Sequence, residues 1–172
     1  EDKVGLKKNS LFGTDVKQEL ATEEEFCHKI SEGKKAQVTK DFMIIARIEE
    51  IIAGRSVDEA LAKAFASVAA GADGIMIHSK DKSGEDIRTF CEKFRKEYKS
   101  IPLVLVPTTY NQFTETELAS WGANIVIYAN HMLRAAEKMR GNDFALGAFP
   151  RSERTVHADQ ADTRTHPRNK IT

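Results

Sequence analysis

Two short stretches put charged side chains at the end of apolar runs. In "FMIIARIE" (Phe42–Glu49), alternation places Met43, Ile45, Arg47 and Glu49 on one face of an extended chain. Two apolar residues are followed by two charged ones on that side. In "GIMIHS" (Gly74–Ser79), Gly74, Met76 and His78 share a face, and the polar residue again comes last. An arginine offers a planar fork of donors suited to phosphate or carboxylate. Buried without a partner it is costly, so Arg47 needs a bound anion or an internal acid such as Glu49. His78 fits either a satisfied interior histidine or a donor aimed at the same anion. The opening segment adds Lys7, Lys8, Asn9 and Ser10, donors grouped without apolar neighbours. They read as a solvated basic turn or as a loop that handles an anion.

These residues need strands to hold them. "FMIIARIE", "GIMIHS", "IPLVLVP" (Ile101–Pro107) and "ANIVIYAN" (Ala123–Asn130) are short and rich in Ile and Val, and predict strands buried on both faces. Helical patterns separate them. Thr22–Lys35 has Phe26 and Ile30 four apart. Ser56–Ala70 opens with Ser-x-x-Glu and ends at Gly71. Gly84–Lys99 carries Ile87, Phe90, Cys91 and Phe94 on one stripe. Thr114–Trp121 opens with Thr-x-x-Glu, and a last helix is predicted over His131–Arg140. Strand–helix alternation predicts parallel strands with right-handed crossovers, in a doubly wound sheet or a (β/α)8 barrel. In a barrel the carboxyl ends of the strands carry the chemistry, which is where Arg47 and His78 fall. No GxGxxG or Walker loop follows any strand.

Composition narrows the function classes. The 172 residues hold 26 basic and 26 acidic side chains, so no basic surface for nucleic acid is expected. No apolar run approaches the ~20 residues of a membrane span. Cys27 and Cys91 form no CxxC and read as helix-packing thiols of a reducing, cytoplasmic compartment. Residues 1–140 carry the partial (β/α) barrel pattern. Residues 141–172 have scattered charge and little apolar period, and read as a mobile tail in which His157 and His166 are solvated.

The order "EDK…K-x-N-S-L", "ARIE", "AGADGIMIHS", "PLVLVPT" and "IVIYANHMLRAA" resembles the phosphoenolpyruvate mutase branch of the isocitrate lyase superfamily. The likeness covers residues 1 to about 136. It implies an (α/β)8 TIM-type barrel that needs Mg2+ and acts on 2-oxo and enol acids. It also implies that the chain starts at the end of the fourth strand and holds only the carboxyl half. The Asp-x-Asp metal-binding stretch would then lie upstream, and these residues alone would lack turnover. Glu1 matches the family acid that holds magnesium. Lys7, Asn9 and Ser10 match the loop that closes over substrate. Arg47 and His78 match the residues that bind the transferring phosphoryl group and substrate. The implied reaction interconverts phosphoenolpyruvate and 3-phosphonopyruvate, in the formation of phosphonates. Phosphonopyruvate hydrolase and an inactive half barrel are the alternatives. "KKNS" stands where the lyases carry a Cys-containing loop, which disfavours a lyase, and Asn9 favours the mutase over the hydrolase. The resemblance further implies a homo-oligomer, although the residues after Lys138 depart from the family pattern.

Overall fold

The structure is a computed structural model that describes residues 1–5, 19–129 and 131–139. Four strands form one parallel sheet: β3 (Ile45–Ile48), β4 (Gly74–Ile77), β5 (Leu103–Leu105) and β6 (Ile125–Val126), in the order β3-β4-β5-β6. All four apolar runs become strands, each shorter than its run. The pairing sets Arg47 opposite Met76, Ile77 opposite Leu105 and Leu105 opposite Val126. Strand order follows chain order without the reversal that a doubly wound sheet has at its switch point. That decides between the two architectures in favour of the barrel type, with half of its eight strands present.

The crossovers are α1 (Glu23–Lys35), α2 (Val57–Ala69), α3 (Glu85–Glu97) and α4 (Glu115–Ser120). Three of them start with a reciprocal cap: Thr22 with Glu25, Ser56 with Glu59, and Thr114 with Glu117. Each such cap satisfies two orphan N–H groups and sets the entry angle of the helix. Helix α3 starts differently, from Gly84 at φ 74°. A Cβ there would sit 2.6 Å from a Phe113 ring carbon, so both backbone and space call for glycine.

One core cluster joins sheet and helices. Ala46, Ile48, Ile75, Ile77, Leu103 and Leu105 from the strands meet Phe26, Ile30, Ala60, Leu61, Ala64, Ile87, Phe90, Phe94 and Leu118 from the helices. The helices therefore cover one face of the sheet. Burial on both faces, expected from the apolar runs, holds only in part: Met43 is 48 % exposed and Ile125 44 %. Met76 and Ile45 are half-buried. The described residues thus cover the other face near Val104 and His78 but leave its edges open.

The opening residues were expected to be loop, but part of them is strand. β1 (Lys3–Val4) pairs antiparallel with β2 (Glu19–Leu20). The preceding Asp2 N–H donates to the Arg47 carbonyl at 3.3 Å, and Ala21 N–H donates to the Asp2 carbonyl at 2.8 Å. Two-residue strands carry too little pattern to be seen in sequence. The compact unit built by these elements is Glu1–Ala129. Helix α5 (His131–Met139) belongs to a second unit and is a helix of nine residues, as its pattern predicts. Lys7, Lys8, Asn9, Ser10 and the 141–172 segment lie outside the described residues.

Candidate active site

Strict alternation brings Arg47 and His78 to one face at the carboxyl ends of adjacent strands, as expected. Ala46 and Ile48 turn to the helices, so Arg47 turns away from them; Ile75 and Ile77 do the same for Met76 and His78. Arg47 Nη2 lies 3.1 Å from His78 Nδ1. Arg47 Nε donates to Glu49 Oε1 at 2.6 Å, and Glu1 Oε2 stands 3.6 Å from the same nitrogen. Glu49 is fully buried. Its Oε1 is also 3.2 Å from His78 Nδ1, and its Oε2 is 3.3 Å from Lys3 Nζ. The internal acid anticipated for Arg47 is therefore real. It holds the Nε edge of the fork and leaves the guanidinium 28 % exposed.

Two neighbours compete for the same ring nitrogen: Arg47 Nη2 can only donate to His78 Nδ1 and Glu49 Oε1 can only accept from it, so the two contacts call for opposite tautomers. His78 Nε2 is buried and has no hydrogen-bond partner among the described residues. An orphaned buried polar nitrogen costs about 1–3 kcal/mol, a cost that a polar ligand atom would relieve.

Behind this cluster lies a second one that the sequence reading missed. Lys63 of α2 is 3 % exposed. Its ammonium donates to Glu50 Oε1 at 2.7 Å and to the Ala21 carbonyl at 2.8 Å, and lies 3.2 Å from Asp2 Oδ2. Arg55 Nε sits 3.1 Å from Glu50 Oε2. Asp2 accepts the Glu49 N–H with both oxygens, at 3.1 and 3.3 Å, and so joins the two clusters. Burial raises the Asp2 carboxyl above its ordinary value, and the attraction of Lys63 and the Glu49 N–H offset that only in part. One signal for Lys63 was present. It interrupts the stripe Ala60, Ala64, Ser67 at helical spacing, where a lysine can stay only with partners.

Glu1, the expected metal ligand, is at the edge of the first cluster, and its carbonyl accepts from Lys29 Nζ at 3.2 Å. Among the described residues no three His, Cys, Asp or Glu side chains converge as a metal cage. Glu49 faces three cationic or imidazole groups, which leaves Glu1 as the one acid of the first cluster with appreciable exposure, 20 %. These residues alone do not form a metal centre.

The family model described as phosphoenolpyruvate phosphomutase matches residues 1–144. A phosphoenolpyruvate phosphomutase of Tetrahymena pyriformis is 38 % identical over 169 residues, covering 98 % of this chain and 52 % of the relative. A phosphonopyruvate hydrolase of Variovorax sp. (strain Pal2) is 44 % identical over 137 residues, covering 79 % of this chain and 46 % of the relative. Among solved structures, a phosphoenolpyruvate phosphomutase from Streptomyces platensis subsp. rosaceus superposes with TM-score 0.72 at 39 % identity, over 93 % of this chain and 57 % of that one. A phosphonopyruvate hydrolase in complex with oxalate and Mg2+ superposes with TM-score 0.64 at 34 % identity, over 88 % and 58 %. The chain spans about half the length of the curated relatives it matches. Four in-order parallel strands and a family match over most of the chain agree: this chain belongs to the phosphoenolpyruvate phosphomutase family.

Proposed function

We propose that this chain supplies the Arg47–His78 side of an active site that interconverts phosphoenolpyruvate and 3-phosphonopyruvate, and that turnover needs a complete barrel. The observation that carries this reading is the Arg47–His78 pair, with one ring nitrogen buried and unpartnered. In the reaction the phosphoryl group leaves the enol oxygen and bonds to C3, so one P–O bond breaks and one P–C bond forms. The transition state is loose, with charge spread over three phosphoryl oxygens, and the protein's part is to position and neutralise. Arg47 presents its Nη donors to the phosphoryl oxygens, while Glu49 holds the Nε edge and fixes the plane. In the tautomer whose Nδ1 accepts from Arg47, His78 Nε2–H donates to a further oxygen. The dipole of Asn9 and the donors of Lys7 and Ser10 complete the phosphoryl contacts without consuming a proton.

The ion of the complete site is Mg2+ in this proposal. Glu1 is one of its ligands, directly or through water, and the remaining ligands come from residues other than those described. When bound, Mg2+ supplies Lewis-acid stabilisation of enolate charge. The substrate is a small molecule, and neither nucleic acid nor a membrane enters the reaction. No helix among the described residues is long and apolar enough to cross a membrane.

The relative at 44 % identity is a hydrolase, which makes hydrolysis of phosphonopyruvate the second reading. Water would then take the phosphoryl group that the mutase returns to oxygen, and Asn9 is the residue proposed to discriminate. Phosphorus NMR of phosphonopyruvate incubated with the protein in a complete barrel separates the two. Conversion to phosphoenolpyruvate is the expected result. Release of inorganic phosphate selects the hydrolase, and no consumption refutes both. Asn9→Ala should lower turnover by roughly 10²-fold if Asn9 contacts the phosphoryl group, because such donors act in the transition state.

A further inference from the structure

Among the described residues, eight charged side chains meet around the carboxyl end of β3, four acids and four bases, and they form two linked rows. Glu1, Arg47, Glu49 and Lys3 make the first, and Asp2, Lys63, Glu50 and Arg55 the second. Only the first row reaches the proposed substrate. The second is tied to it through Asp2, whose carboxylate grips the Glu49 main-chain N–H.

Lys63 is the centre of the second row. Its ammonium touches the strand segment before β1 through Asp2, the residue after β2 through the Ala21 carbonyl, and the residue after Glu49 through Glu50. These three attachments come from sequence-distant segments that no other described side chain joins at one atom. The ring of Phe26 lies beneath it, 5.6 Å from Nζ. Removal of this one charge would leave two carboxylates buried against each other, beside the backbone that carries Glu49. Breaking a buried ion pair from one side is far more disruptive than replacing the pair as a whole. Asp2 would then relax its hold on the Glu49 N–H, and Glu49 would no longer fix the plane of Arg47.

We infer that Lys63 is a positioning residue: through Asp2 it locks Glu49, and through Glu49 it orients the Arg47 guanidinium that receives the phosphoryl group. The inference rests on the proposed reaction for its effect on turnover but not for its effect on Arg47. A displacement of about 1 Å at a reacting group can cost ~10²-fold in rate.

The test uses the protein in its complete barrel, with two measurements on Lys63→Met, Lys63→Arg and, as control, Leu61→Ala on the same helix. The first is turnover of phosphonopyruvate. The second is the Arg47 Nε–H resonance in a 15N-edited NMR spectrum, assigned by its loss in Arg47→Lys. Glu49 at 2.6 Å should make that proton slow to exchange and shifted downfield. Lys63→Met should lose or move the resonance and lower kcat by ~10²-fold. Lys63→Arg should recover at least a tenth of the activity and the resonance, since it keeps a donor charge at the site. Leu61→Ala, which opens a cavity in the core, should lower the melting temperature yet keep both kcat within about twofold and the resonance. An unchanged Arg47 resonance in Lys63→Met, or its equal loss in Leu61→Ala, overturns the inference. If the unsubstituted protein does not consume phosphonopyruvate, the proposed reaction fails while the resonance still decides the role of Lys63.

Discussion

At the two ends of strand β3, two aspartates grip main-chain N–H groups with opposite electrostatic outcomes. Before the strand, Asp73 accepts the Ile44 N–H at 2.7 Å and pairs with Lys34 at 2.9 Å. Burial is the largest single influence on it and raises it, but the Ile44 N–H and Lys34 together outweigh burial and hold the carboxyl below its ordinary value. After the strand, Asp2 accepts the Glu49 N–H and faces Lys63, yet deeper burial wins and its carboxyl is raised. The same chemistry stabilises at one end and strains at the other. The amino-terminal end uses charge to satisfy backbone. Arg95 follows the same rule there, donating to the Gly122 carbonyl at 2.9 Å, to Tyr98 at 3.0 Å and to Ile101 at 2.7 Å. The carboxyl end sets charge against charge and leaves a histidine nitrogen without a hydrogen-bond partner among the described residues. Such an arrangement sacrifices local stability, which is what the proposed phosphoryl contact would use.

The comparison breaks first at Arg47. In a complete barrel, Arg47→Ala should lower kcat/KM for phosphonopyruvate by roughly 10²–10³-fold, as for other pre-organised donors. Steady-state kinetics check this, and near-normal turnover would make Arg47 a structural partner of Glu49 only. Arg95→Ala probes the opposite end. It should destabilise the fold by about 2 kcal/mol through lost donors to three carbonyls, read as a lower urea midpoint, while folded enzyme keeps kcat within about twofold. A loss of turnover comparable to that of Arg47→Ala would erase the distinction between the two ends.

Asp73 offers the smallest and sharpest effect. Its folded carboxyl is held below the ordinary 3.8, so its charge contributes stability at pH above 3.8 and loses that contribution as pH falls through the lowered value. Asp73→Asn keeps an acceptor for Ile44 and removes only the charge. The stability difference between the unsubstituted protein and the variant should be about 1 kcal/mol at neutral pH, given the partial exposure of the pair. Urea titrations at a series of pH values should show it shrinking in the acid limb. A difference that stays constant across that limb would mean the charge does not titrate with folding.

Much of this arrangement was legible in the residues themselves. The facing of Arg47 and His78 followed from alternation alone, because a strand's side-chain period of two admits no other outcome. The capping boxes at Ser56 and Thr114 marked helix starts that the structure keeps. All strand ends but the start of β4 were overrun, by one to four residues, since apolar pattern continues into segments that make no ladder bonds. Asp2, Lys3, Glu50 and Lys63 went unnoticed because each looks like an ordinary surface charge in sequence, and only burial makes it a partner.

The sequence by itself determined the local matters: the four strands of the parallel sheet and the helices between them, where the helices are capped, and which face of each of those strands carries the charged residues. Those depend on neighbours a few positions apart, so period and cap residues suffice. Only the tertiary structure decided that Asp2 bonds the Arg47 carbonyl and the Glu49 N–H, and that Lys63 joins three distant segments at one ammonium. Those contacts join residues 13 to 61 positions apart, from Glu50 with Lys63 to Asp2 with Lys63. Their energies depend on a burial that no single segment possesses until the others have packed against it.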